Sequence, residues 1–293
     1  MRTAILIAGL ILTPFALPRG GVVSLADAAP LSDTVIDVRA GDRVHVRLSE
    51  GRVVVEGSRN DLLSADDDGD PDRVRMTRRG DVVVVEPLRR GDDPVIRLRV
   101  PAGLEVAVMG EDVDVVVADL AADVSVRVVE GDVRARSVAG SLELRTVSGD
   151  IDAEGIEGDL VASTVDGRVG VIDVTGNVTA ESMHGDVTVE GVGGGEVHAV
   201  TVDGDVVYRG DVRAGGWVRL VTHDGDVSAE IPEGVSADVE VSTYDGEFLP
   251  AFPVRVGRVE AGKPLRFRMG SGGARLELQA FDGDIQLRHG PGR

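Results

Sequence analysis

Thr146-Val-Ser-Gly-Asp-Ile151, Thr164-Val-Asp-Gly-Arg-Val169, Ser182-Met-His-Gly-Asp-Val187 and Thr201-Val-Asp-Gly-Asp-Val206 repeat one grammar down the chain. The series runs on as Thr222-His-Asp-Gly-Asp-Val227, Thr243-Tyr-Asp-Gly-Glu-Phe248 and Ala280-Phe-Asp-Gly-Asp-Ile285. Halfway between these turns lies a second set of glycines, at 140, 158, 176 and 195, so that a glycine falls about every nine residues from Gly131 to Gly204. Each turn is followed by period-two alternation, as in Ser141-Leu142-Glu143-Leu144 and Asp186-Val187-Thr188-Val189. Such alternation marks a half-buried strand, and a glycine beside aspartate or serine marks a tight turn.

Strand, turn, strand, turn within about 18 residues closes one flattened coil, and recurrence of that coil is the signature of a repeat architecture. The expected fold is all-β, a parallel β-solenoid with coils of about 18–21 residues and two turns each. Stacking at the strand spacing of about 4.8 Å aligns equivalent residues into columns. Val133, Ile151, Val169, Val187, Val206, Val227, Phe248 and Ile285 form one inward column, and Leu142, Leu160, Val178, Val197 and Val218 the opposing one. A neighbouring column of Ala135, Ala153, Val171, Val189, Tyr208 and Ala229 implies a thin interior, which accounts for an aromatic content of only 3%. Asp-Gly is also a hairpin signal, but recurrence position by position favours the solenoid over an antiparallel meander.

Residues 31–125 follow the same grammar less regularly. Strands are expected at 34–39, 44–48, 52–56, 73–77, 81–86, 95–100, 113–117 and 124–129. The insert Asp66-Asp-Asp-Gly-Asp-Pro-Asp72 looks like a calcium loop, but with Gly69 at loop position 6 the last position is Arg75, where a glutamate is needed. A solvated loop is expected there. The chain divides into residues 1–28, an irregular first part of the solenoid at 29–125, and the regular repeats at 126–293.

Residues 1–28 have the form of a secretory signal peptide: Arg2, the apolar run 4–12, and Ala26-Asp27-Ala28 as a cleavage pattern. Pro14, Pro18 and Arg19 leave the run shorter than the roughly 20 residues a membrane-spanning helix needs. The expectation is cleavage, export to the periplasm or the extracellular space, and no integral membrane segment afterwards. The chain has no cysteine, which excludes disulfides and thiolate metal sites. Its net charge of −20 argues against nucleic acid as a partner.

The Thr-x-[Ser/Asp]-Gly-Asp-[Val/Ile] repeats, with Val100-Pro-Ala-Gly-Leu-Glu-Val106 ahead of them, resemble the bacterial putative-adhesin β-solenoid family, from about Thr34 to Leu287. The resemblance implies a right-handed, β-helix-like solenoid, an envelope or extracellular location, an adhesive or scaffolding role toward an envelope, glycan or protein partner, and no established catalytic residues.

Candidate sites lie beside the main turn glycines. Before the glycine come Glu130, Ser148, Asp166, His184, Asp203, Asp224, Asp245 and Asp282; after it come Asp132, Asp150, Arg168, Asp186, Asp205, Asp226, Glu247 and Asp284. Carboxylates about 4.8 Å apart repel by roughly 1 kcal/mol per pair even in water. The edge formed by Asp166, Asp186, Asp203, Asp205, Asp224, Asp226, Asp245 and Asp284 therefore either chelates cations such as Ca2+ or serves another purpose. The aspartate is misplaced for the calcium-binding nonapeptide, so local capping of turn amides is favoured, with no cofactor. His184 and His223 share this edge but sit two coils apart; His45, His198 and His289 lie elsewhere. Arg-Gly-Asp at 79–81, 90–92 and 209–211 follows from the turn grammar itself. A polysaccharide lyase or hydrolase on a parallel β-helix is the enzyme alternative, and the irregular stretch Glu247–Met269, with Phe252, Pro253 and Pro264, is where its groove would be sought. A calcium-binding repeat solenoid is the other. The favoured reading is a non-enzymatic one.

Overall fold

The computed structural model describes residues 35–88, 93–254 and 264–290. Residues 1–28, with the expected cleavage, lie outside the described residues. Described strands belong to one hydrogen-bonded sheet that winds as a parallel solenoid. Each regular coil contributes a longer strand, such as Val133–Val138, Ile151–Ile156 or Val169–Val174, and a shorter one, such as Leu142–Arg145, Leu160–Ser163 or Val178–Glu181. Equivalent strands pair in parallel and in register from coil to coil. Val133, Ile151, Val169, Val187, Val206 and Val227 stack on one face. Val124, Leu142, Leu160, Val178, Val197 and Val218 stack on the other. All of these are buried.

The small-residue column is buried as its composition suggests. Tyr208 is its one large member, and its hydroxyl donates to the Asp211 carbonyl at 2.5 Å. Burial holds that phenol above the ordinary tyrosine pKa. The two-turn expectation missed a further bend. Asp119, Ser137, Gly155, Asp173 and Gly191 all have positive φ, 18 residues apart. Each shifts the longer strand's alternation by one step, so that Leu120, Val138, Ile156, Val174 and Val192 form an additional buried column.

Both ends depart from sequence order. Arg43–Ser58 is one continuous strand rather than the two expected at 44–48 and 52–56. It stacks between Glu105–Leu120 and the outer pair Val82–Pro87 and Val95–Pro101. Leu62–Asp67, which the alternation did not reveal, and Val74–Arg79 fold back antiparallel on that outer pair, and Val35–Asp37 pairs antiparallel with Leu62–Asp67. At the other end Ala274–Asp282 and Ile285–Gly290 slot between the coil of Trp217–Asp224 and Val227–Pro232 and the coil of Ala237–Asp245 and Phe248–Pro250. Leu265–Met269 then runs antiparallel against Ala237–Asp245. The inward column therefore runs Val227, Ile285, Phe248, not Val227, Phe248, Ile285. The physical reason is edge protection. A parallel ladder left open would template further strands, and the last strands fold back to cover part of it.

The acidic insert is not a plain solvated loop. Asp66 and Asp67 belong to a strand, and Asp67 is buried and accepts the Val95 amide at 2.9 Å. Asp66 accepts the Gly69 amide at 2.7 Å, and Asp70 caps a short 3-10 turn at Pro71–Arg73 through the Asp72 amide at 3.0 Å. Backbone donors therefore claim several of these carboxylates.

A candidate contact edge

The T-x-D-G-D turns stack into one ribbed edge, and each residue of the motif has a separate duty. Glycine is there for space. A Cβ on Gly149 would sit 2.1 Å from the Gly131 carbonyl oxygen, and one on Gly167 equally close to that of Gly149. Backbone cannot yield to such a clash, so from Gly131 onward the turn position is glycine, whereas Val113 holds the equivalent place one coil earlier. Threonine or serine is there to satisfy that carbonyl. The hydroxyls of Thr164, Ser182, Thr201 and Thr222 donate to the carbonyls of Gly149, Gly167, Gly185 and Gly204 at 3.1, 2.8, 2.8 and 2.8 Å. All four are buried polar groups, so an unsatisfied hydroxyl would be costly there.

The aspartate after the glycine does cap an amide, but not locally. Its Oδ1 accepts the amide of the equivalent residue one coil on. Asp114, which follows Val113, takes Asp132; Asp132 takes Asp150 and Asp150 takes Arg168, all at 3.0–3.1 Å. Asp186 takes Asp205, Asp205 takes Asp226, Asp226 takes Asp284 and Asp284 takes Glu247 at 2.8–2.9 Å. The spacing is fixed by stacking, which a reading of one turn at a time does not reveal. The opposite edge repeats the device: Asp123, Asp159 and Asn177 accept the amides of Ser141, Asn177 and Glu196.

The aspartates before the glycine form the outer column, which in space runs Asp166, His184, Asp203, Asp224, Asp282, Asp245. His184 Nδ1 lies 2.9 Å from Asp166 Oδ1, whereas His223 packs against Phe281 with centroids 4.6 Å apart and ring planes tilted by 51°. Among the described residues no three His, Asp or Glu side chains converge to hold a metal ion. Of the Arg-Gly-Asp segments, Asp81 is tied to Arg43 at 2.8 Å and Arg209 is paired with Glu190 and Glu230; residues 90–92 lie outside the described set.

Position x of the motif carried a signal that the charge pattern hid. Val129, Val147, Val165, Met183, Val202, His223, Phe281 and Tyr244 stack coil upon coil, as the turn hydrogen bonds and flanking pairings fix. Val129, Val147 and Val202 are exposed, and Tyr244 is 76% exposed. Tyr244 lies parallel to Phe281, centroids 4.8 Å apart and planes 3° from parallel. The edge is thus an apolar rail, aromatic at its far end, running beside the outer acidic column.

The fold and edge define the class: a parallel β-solenoid with out-of-order end coils and a continuous T-x-D-G-D corner. Residues 173–288 match the Toastrack DUF4097 family model, in keeping with the resemblance the repeats carry. Two solved structures are similar. One, described as a putative cell adhesion protein from Clostridium sporogenes, is 9% identical, covering 87% of this chain and 98% of its own, at a TM-score of 0.22. The other, a putative adhesin from Bacteroides fragilis, is 12% identical, covering 89% and 97%, at a TM-score of 0.42. No curated protein matches the chain. Among the described residues no helix is long and apolar enough to cross a membrane.

Proposed function

We propose that this chain is an exported, non-enzymatic scaffold of the bacterial envelope that holds a partner along its ribbed edge, in adhesion or surface binding. The observation that carries this reading is the apolar rail beside the outer acidic column. A solenoid has no packing need to expose Val129, Val147, Val202 and Tyr244 along one edge, with Phe281 half-buried beneath Tyr244, and an exposed apolar stripe rimmed by polar residues marks a contact surface. Complementarity points to a basic protein segment with apolar side chains between its cations. Stacked aromatics next to carboxylates suit a lysine or arginine that needs both an ion-pair partner and a π face.

Surface plasmon resonance against basic peptides tests this. A peptide alternating lysine with leucine should bind the chain at least tenfold more tightly than one alternating lysine with serine. The double variant Phe281→Ser, Tyr244→Ser should abolish that preference. Equal binding of both peptides, or a preference that survives the double variant, rules out the rail as the contact.

A further inference from the structure

A groove of about 720 Å3 lies at the far end of the solenoid, on the corner opposite the rail. The strand Trp217–Asp224 runs from one corner to the other, placing Trp217 about 20 Å from His223 at strand rise. The groove's floor is apolar, formed by Val239, Phe267 and Ala274. Its rim holds Trp217, the chain's only tryptophan, with the Arg275 guanidinium carbon 5.4 Å from the ring centroid. Around it the planar polar groups are held in pairs. Arg268 Nε meets Asp238 Oδ1 at 2.7 Å, and Arg266 meets Glu240 Oε1 at 3.0 Å. Arg275 meets Glu277, itself buried, at 3.2 Å.

We propose that this groove is a saccharide-binding site. It does not rest on the reading of the rail. Three features converge on the ligand class. A tryptophan beside an apolar floor suits the C–H face of a pyranose ring. Arginine–carboxylate pairs present donors and acceptors in one plane, and each guanidinium has five N–H donors, most of them unspent by its partner. Such pairs can bridge vicinal hydroxyls while each charge keeps its partner.

The third feature is charge. The lining carries three arginines against two carboxylates, in a protein of net charge −20. A polycation would find nothing here that the acidic edge does not offer better. A neutral or uronate-bearing sugar meets no repulsion. The volume falls within the roughly 300–1,000 Å3 usual for ligand sites, room for a short oligosaccharide.

Because Trp217 is the only tryptophan, intrinsic emission reports from the site itself. The intact chain would be titrated with maltopentaose, chitopentaose and penta-galacturonate. At least one should give a saturable change in emission, weakened tenfold or more by Arg268→Ala. A winning uronate identifies the ligand as acidic, and a winning maltopentaose or chitopentaose as neutral. Should Arg268→Ala fail to melt cooperatively, Trp217→Phe followed by calorimetry replaces it, with the same tenfold loss expected. Tyr244→Ser, on the rail, should leave the titration unchanged. No saturable response to any of the three sugars, or a response that Arg268→Ala or Trp217→Phe leaves intact, overturns the assignment. So does a response lost in Tyr244→Ser.

Discussion

The two halves of the ribbed edge share one geometry and differ in charge. In the first half the carboxylates that cap the next coil's amide come with an arginine each. Arg52 pairs with Asp114, Arg134 with Asp132 and Arg168 with Asp150, each at 2.9 Å, and His184 lies against Asp166. In the second half Asp186, Asp203, Asp205, Asp224, Asp226, Asp282, Asp284 and Asp245 have no basic side chain paired with them among the described residues. Yet the inter-coil cap is as short at Asp205 as at Asp132, and the buried threonine meets the turn carbonyl in both halves. The cations are therefore not what shapes the turn. The fold asks for an oxygen at the cap position, and Asn177, which caps Glu196 at 3.0 Å on the opposite edge, shows that a neutral one serves. Bare charge in the second half is an added property, and it coincides with the aromatic end of the rail.

The largest effect should come from the feature the halves share. Gly167→Ala and Gly204→Ala place a Cβ 2.1 and 2.5 Å from the carbonyl oxygen of the preceding coil's glycine. Each should lower stability by on the order of 3 kcal/mol or more, since backbone on both sides is fixed by the ladder. Gly195→Ala, with nothing within 4 Å of its Cβ, should leave the denaturation midpoint where it is. A mild Gly204→Ala beside a severe Gly167→Ala would mean that the uncompensated half is loosely stacked, and the common geometry would not hold.

Much of this edge was legible because the repeat is strict. Val133, Ile151, Val169 and Val187 can occupy only one face once the strand alternates, and the turn glycines announce the corner. The strand order at the ends was not legible. Nothing in Phe248 or Ile285 says which stacks on Val227, because both are apolar residues after an aspartate-glycine turn. That choice is made by covering the ladder's open edge, a property of the whole assembly. The cap partners were missed for a related reason. An aspartate one coil away is 18 to 21 residues distant in sequence, whereas turn grammar looks two or three residues along. The rail was legible in principle, since position x is apolar or aromatic in nearly every unit, but its exposure follows from the turn geometry and not from alternation.

A smaller effect separates the halves by pH. Burial pushes the Asp150 carboxyl upward, but the Arg168 amide and guanidinium outweigh it and hold its pKa below the usual 3.8. Asp114 behaves likewise through Arg52 and the Asp132 amide. A folded-state pKa below the unfolded one gives stability that is complete above about 3.8 and is lost as pH falls through the lowered folded value. Arg168→Ala should therefore lower the melting temperature by a few degrees at pH 7, and the difference from the wild type should shrink as pH falls below 3.8 through the lowered folded value. A loss that stays the same as pH is lowered would show that Arg168 acts by packing, and the charge distinction between the halves would lose its clearest support.

The smallest expected change is the most discriminating for the second half. Asp205 Oδ1 accepts the Asp226 amide at 2.8 Å, and Asp186 and Asp226 sit one coil to either side. Asparagine at 205 keeps an acceptor at that place, as Asn177 does, and removes one charge from a run of like charges separated by about 4.8 Å. Asp205→Asn should thus be neutral or raise the melting temperature slightly, with the gain shrinking as salt screens the repulsion. Calcium provides the contrary test. If the edge acts as an amide cap and not as a chelating ladder, millimolar Ca2+ should raise the melting temperature no more than Mg2+ at matched ionic strength, since both would act by screening. A bound ion behaves differently: occupancy at about 100 times the dissociation constant adds about 2.7 kcal/mol, a rise of many degrees. A calcium-specific rise of that size, removed by Asp205→Asn together with Asp226→Asn, would make the second half a cation site and its bare charge a ligand set. Equal small rises with both ions leave the acidic run as uncoordinated charge beside the rail.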